Sequence, residues 1–85
     1  MPVVLDSIDL HRLTADEAEY RLNRYLNDAF VAGKARVKVI HGKGTGTLRQ
    51  VVADVLGRHP LVKSYRLAGY GEGGDGVTIA ELVWK

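Results

Sequence analysis

From Ala18 onward the apolar residues Ala18, Leu22, Tyr25, Leu26, Ala29 and Phe30 recur at a spacing near 3.6. That spacing predicts a helix with one apolar face. Thr14 with Glu17 three residues later forms a T-x-x-E capping box at its start, and Gly33 supplies the glycine that ends it. The period then changes. Between Ala35 and His41, Val37 and Val39 alternate with Arg36 and Lys38, which predicts a strand with one apolar and one basic face. Helical spacing returns from Thr47 to Leu56, with Leu48, Val51, Val52, Val55 and Leu56 facing inward, and Gly57 and His59-Pro60 are read as its stop. Shorter apolar runs predict strands at Leu5–Leu10, Leu61–Leu67 and Val77–Trp84. The run AGYGEGGDG, from Ala68 to Gly76, predicts a mobile hairpin-type loop.

The order is therefore β-α-β-α-β-β. A helix separates the first two strands, which predicts a parallel pair joined by a right-handed crossover, while the last two should pair antiparallel. The expected fold is a two-layer α/β sandwich, a four-stranded mixed sheet with both helices on one face. No internal repeat or linker interrupts residues 1–85, which are read as one domain with an ordered core of about 5–84. Parallel strands joined through a helix end at the same sheet edge, where ligands of open α/β sheets tend to bind. That edge should bring Asp9 and His11 toward His41 and Lys43.

Composition narrows the class. Apolar residues make up 46% of the 85, enough for a globular core. No run approaches a membrane span and no signal segment is evident, so no membrane partner is expected. Cysteine is absent, which excludes disulfides and thiolate metal sites and makes the cytoplasm the expected location. The formal charge is only +2, but basic residues are denser from Lys34 to Arg66 while acids crowd the first helix and the tail. This distribution favours a polyanionic partner.

The chemistry concentrates in VKVIHGKGTGTLR, Val37 to Arg49, where a strand runs into a glycine loop and then a helix. Gly42, Gly44 and Gly46 allow close backbone approach to a phosphate; Lys43 adds charge; Thr45 and Thr47 add hydroxyls; the helix start adds a favourable dipole. The spacing is neither a Walker loop nor a dinucleotide fingerprint. His41 is either part of this site or a satisfied, semi-buried residue. In Asp9-x-His11 the carboxylate can orient an imidazole that serves as a base near neutral pH. With His41 and Lys43 it could act on a phosphodiester. Two histidines and a carboxylate also suit a hydrolytic divalent cation, so Mg2+ or Mn2+ is a candidate cofactor, although no carboxylate cluster assigns metal ligands. Arg36 and Lys38, joined by Lys63 and Arg66, could meet phosphates on the open sheet face. Tyr65, Tyr70 and Trp84 could stack on bases, with Tyr70 the freest.

Three stretches together resemble a known family. IDLHRLTADEA resembles the L-D-L-H/R-G-x-x-x-x-E-A opening of the Smr (small MutS-related) domain. HGKGTGTLR is similar to its H-G-x-G-x-G-x-L-R signature, and GEGGDGVTIAEL to its closing G-G-x-G-x-T-x-V-x-L. The likeness runs from Ile8 to Leu82, in the version found at the C-terminal end of the second bacterial MutS paralogue. The resemblance implies that the chain is the C-terminal fragment of a larger ATPase, that parent being a homodimer and the isolated domain a monomer. It implies the same β-α-β-α-β-β sandwich, and endonucleolytic nicking of DNA or RNA with little sequence specificity. The implied roles are recombination suppression, repair or rescue of collided ribosomes. Carried over by position, the implied catalytic residues are Asp9, His11, His41 and Lys43. Arg12, Arg36, Lys38, Gly42, Lys43, Gly44, Thr45, Gly46 and Arg49 are the expected nucleic-acid contacts. A non-catalytic module that targets its parent to branched DNA or ribosomes is the alternative. Arg12 stands where the family usually has glycine, which predicts a stiffer or differently aimed loop.

Overall fold

The computed structural model describes residues 3–44 and 46–84. Its elements are β1 (Ser7–Asp9), α1 (Ala15–Val31), β2 (Arg36–Ile40), α2 (Thr47–Arg58), β3 (Val62–Leu67), a 3-10 turn (Gly74–Gly76) and β4 (Val77–Leu82). The expected order and fold class hold. The strands lie in the order β1-β2-β4-β3, with β1 parallel to β2 and β4 antiparallel to both β2 and β3. The last strand thus inserts between β2 and β3. Its Val77, Thr78, Ile79 and Ala80 are all buried, as a central strand covered on both faces requires.

Helix α1 begins as its capping box dictates. The Thr14 hydroxyl accepts the Glu17 N–H at 3.2 Å and donates to the Glu17 carboxylate at 3.3 Å. The end is a Schellman motif, in which Gly33 at φ +82° donates to the Phe30 carbonyl and Lys34 donates to that of Ala29. Leu22 and Leu26 from α1, Val52, Val55 and Leu56 from α2, and Val37, Val39, Ala80 and Leu82 from the sheet share one core. Both helices therefore cover the same face. Each fully buried leucine contributes about 1.5–3 kcal/mol of transfer free energy. Tyr25 fastens the lead-in to this core by donating to the Leu5 carbonyl, and burial, followed by the charge of Asp6, pushes its hydroxyl pKa up to about 12.

Three expectations are corrected. Gly57 does not stop α2, which runs on to Arg58 and ends at His59, held extended before Pro60. The physical reason is tertiary: a side chain at Gly57 would have its Cβ 3.3 Å from the Tyr65 hydroxyl, so glycine lets α2 lie close to β3. His59 is buried and its Nδ1 accepts the Leu61 N–H; burial lowers its pKa and keeps the ring neutral. Next, the loop from Ala68 to Gly76 is built rather than slack. Glu72 takes a two-pronged bond from Arg66 at 2.9 and 3.1 Å and another from the Gly69 N–H. Those bonds, Arg66 foremost, pull its pKa down to about 2. Finally, the second sheet face is only partly open and basic. Ile40, Ala68, Val77 and Ile79 form a small apolar cluster there. Arg36 is held by Glu81 at 2.6 Å and Arg66 by Glu72. Lys38 is the remaining exposed cation of β2, with no carboxylate in ion-pair range among the described residues.

Candidate functional site

The parallel pairing of β1 with β2 sets Asp9 beside Ile40 and bonds the Leu10 N–H to the Ile40 carbonyl at 2.7 Å. Both strands then leave the sheet at one edge. There Gly42, at φ +82°, passes so near the first loop that a Cβ on it would lie 3.4 Å from that of His11. Two polar clusters some thirty residues apart thus become neighbours, as the topology required.

At the first cluster, the Asp9 carboxylate accepts both the His11 backbone N–H and the His11 ring Nδ1–H. These two bonds, the ring bond foremost, hold the Asp9 carboxyl below the usual carboxylate range, with the Arg12 charge adding a little. Asp9 is therefore ionised at neutral pH and fixes the tautomer of His11. The Nε2 of His11 has no hydrogen-bond partner among the described residues. Both side chains are about half exposed, at 47% and 51%, so solvent or a ligand can reach the pair. Arg12 follows at φ +72°, alone among described non-glycine residues in having positive φ. The arginine thus holds a left-handed conformation that glycine adopts without strain.

At the second cluster the roles divide. His41 is only 3% exposed; its Nδ1 donates to the Gly42 carbonyl at 3.0 Å and its Nε2 accepts from the Thr78 hydroxyl at 2.9 Å. Both ring nitrogens are spent within the fold, so His41 shapes the loop and offers no free nitrogen to a substrate. The Gly42 N–H is also spent, on the Gly76 carbonyl at 3.0 Å. The amides of Lys43 and Gly44 have no such partner among the described residues. Lys43 is exposed, and its ammonium lies 3.6 Å from Asp75. Helix α2 begins at Thr47 after an N-cap Gly46 at φ +91°, which has no side chain to cap with, and its first turn carries no acid. The Arg49 guanidinium folds back there, 3.6 Å from where a Gly46 Cβ would stand. Thr45 lies outside the described residues.

Together these parts line a cleft of about 520 Å3 between the starts of α1 and α2, reached by His11, Arg12, Lys43, Gly44 and Arg49. The acid-free start of α2 and three cations around one opening suit an anionic ligand. Arg36 and Lys38 lie apart from it, on the sheet face. Sequence reasoning missed Thr78 and Asp75. Thr78 could have been found as the threonine of the closing G-x-T motif, whereas nothing local singles out Asp75. Among the described residues no group of three or more His, Cys, Asp or Glu side chains converges as a metal site. No helix among them is long and apolar enough to cross a membrane.

Comparison with known proteins bears on the family and the fold. The family model of the Smr domain matches residues 8–83. Endonuclease MutS2 of Clostridium beijerinckii is 57% identical over 75 residues, 88% of this chain and 10% of that protein. Endonuclease MutS2 of Clostridium novyi is 54% identical over 93% of this chain and 10% of its own length. The chain thus spans about a tenth of the curated relatives it matches. Among solved structures, the Smr domain of Thermus thermophilus MutS2 superposes with a TM-score of 0.89 at 39% identity, covering 93% of this chain and 99% of that one. YdaL, a stand-alone small MutS-related protein from Escherichia coli, gives 0.85 at 28% identity, covering 91% and 63%.

Proposed function

Because the chain belongs to the Smr domain family, we propose that it is a nucleic-acid endonuclease domain that nicks DNA phosphodiesters with little sequence specificity, in recombination suppression or repair. The observation that carries this reading is the Asp9–His11 pair, exposed at the mouth of a cationic cleft. The ionised Asp9 keeps the proton on His11 Nδ1, so Nε2 can take a proton from a water attacking the phosphorus. The new P–O bond forms as the bond to the sugar oxygen breaks, and that oxygen takes up a proton as it leaves. Lys43, the loop amides beyond Gly42 and the start of α2 are aimed where charge grows on the non-bridging oxygens. Arg12 and Arg49 hold flanking phosphates, and none of these contacts reads a base, which accounts for low sequence specificity. His41 is a positioning residue that keeps Gly42 turned under His11.

Asp9 also fits a Mg2+ or Mn2+ ion brought in with the phosphate, because magnesium is commonly held by one or two carboxylates and the substrate's own oxygens. Such an ion would supply Lewis-acid polarisation of the phosphate.

Nicking of supercoiled plasmid by the purified domain, with Mg2+, Mn2+ or EDTA, tests the proposal. His11→Ala should slow nicking by roughly 10²–10⁴-fold while leaving plasmid binding nearly intact. If wild type binds plasmid without nicking it, or the variant nicks equally well, the domain is instead a binding module that targets its parent.

A further inference from the structure

The loop from Ala68 to Gly76 has no part in that mechanism, yet it is tied to the glycine loop. The Gly76 carbonyl accepts the N–H groups of both His41 and Gly42 at 3.0 Å. A Cβ at Gly76 would stand 3.3 Å from the Lys43 Cγ. The carboxylate of the preceding residue, Asp75, comes within 3.6 Å of the Lys43 ammonium. A side groove of about 60 Å3, next to the main cleft, is lined by Gly42, Lys43, Gly44, Gly46, Arg49 and Asp75. Asp75 is the single acid in that lining, amid cations and a helix start.

As an ion pair the contact contributes little, since its members are 72% and 66% exposed. As a fixed negative charge beside a phosphate site it has a larger consequence. An internal phosphodiester carries one negative charge, whereas a terminal phosphate carries roughly 1.5–2 at neutral pH. Lys43, Arg12, Arg49 and the α2 dipole all favour the more highly charged species. Without opposition they would hold a cut strand's phosphate end more tightly than the uncut strand. A carboxylate a few ångströms away repels each additional charge by an amount worth severalfold in affinity at an effective dielectric near that of a protein surface.

Resting on the reading of the cleft as a phosphodiester site, we propose that Asp75 is its charge-selectivity residue. It tilts binding away from terminal phosphates and toward internal phosphodiesters, so that the domain engages strands internally and releases phosphate-ended products.

The test uses wild type and Asp75→Asn with short single-stranded oligonucleotides of one sequence, ending in hydroxyls or in phosphates. Affinities are read by fluorescence anisotropy at fixed salt, pH 7.5. Asp75→Asn should tighten binding of the phosphate-ended strand about 3–10-fold more than that of the hydroxyl-ended strand. At pH 5, where the terminal phosphate is close to singly charged, that difference should largely vanish. Equal tightening of both strands, or no change in either, overturns the proposal and leaves Asp75 as a surface ion-pair partner of Lys43. If wild type and variant bind neither strand, the nucleic-acid reading of the cleft fails and takes this one with it.

Discussion

The two helices of this domain begin in opposite ways, although both point at the same cleft. Helix α1 is closed at its start: Thr14 caps it, Glu17 completes the box, and Asp16 and Glu17 place two acids in its first turn. Helix α2 has Gly46 in place of a capping side chain, no first-turn acid, and Arg49 in that turn. An acid there is favourable and a cation unfavourable, by about 0.3–1 kcal/mol each. Helix α1 is thus built for its own stability. Helix α2 leaves stabilisation unused, and what it keeps is a positive end facing the cleft. The difference indicates which helix start the ligand completes.

The largest effect should come from closing the open start. Arg49→Glu places a carboxylate three residues after the N-cap, the position Glu17 holds in α1. Affinity for plasmid or oligonucleotide should fall about tenfold or more, and the slope of log K against log salt should shrink by roughly one. Thermal stability should nevertheless rise slightly, as a favourable helix–dipole contact replaces an unfavourable one. Loss of binding together with loss of stability would show damage rather than closure of a site. Unchanged binding would remove α2 from the interface.

A smaller effect of opposite sign is expected from opening the closed start. Glu17→Ala removes one half of the capping box and a first-turn acid, costing about 0.5–1 kcal/mol, read as a lower melting temperature. Nucleic-acid affinity should hold or rise slightly, because a negative charge leaves the vicinity of the cleft. A marked fall in affinity would mean that α1's capped end is itself part of the binding surface.

What could be read in the chain follows how local each cause is. Thr14, Glu17 and Gly33 act within one helical turn, so the limits of α1 were visible in the order of residues. Val37 and Val39 announce a strand by alternation. Gly57 misleads because glycine serves there for approach to Tyr65, a contact made across the fold. The glycine-rich run from Ala68 to Gly76 reads as slack by composition, and it is the Arg66–Glu72 bond and the Gly76 carbonyl that shape it. At the site, Asp9 and His11 declare themselves by spacing. The double engagement of His41 depends on Thr78, 37 residues away and brought alongside by the insertion of β4 next to β2. No periodicity encodes that insertion.

Arg12 joins the two halves of the comparison, because it sits at the entry to the well-capped helix yet breaks a local rule. An L-residue at φ +72° stores roughly 1–2 kcal/mol relative to an ordinary conformation. Glycine would relieve that, less the extra chain entropy it loses on folding. Arg12→Gly should therefore stabilise the domain by up to about 1 kcal/mol. The same change takes a guanidinium from the cleft mouth, so affinity should drop a few-fold and the salt slope should lessen by roughly one. Strain that persists beside a functional cleft points to a use for the side chain, and opposite changes in melting temperature and affinity would establish that use. If affinity holds while stability rises, the arginine contributes nothing to the interface and the first loop serves only to carry His11. If stability falls instead, the side chain packs against something that its exposure does not reveal, and Arg12 belongs with the stabilising start of α1 rather than with the open start of α2.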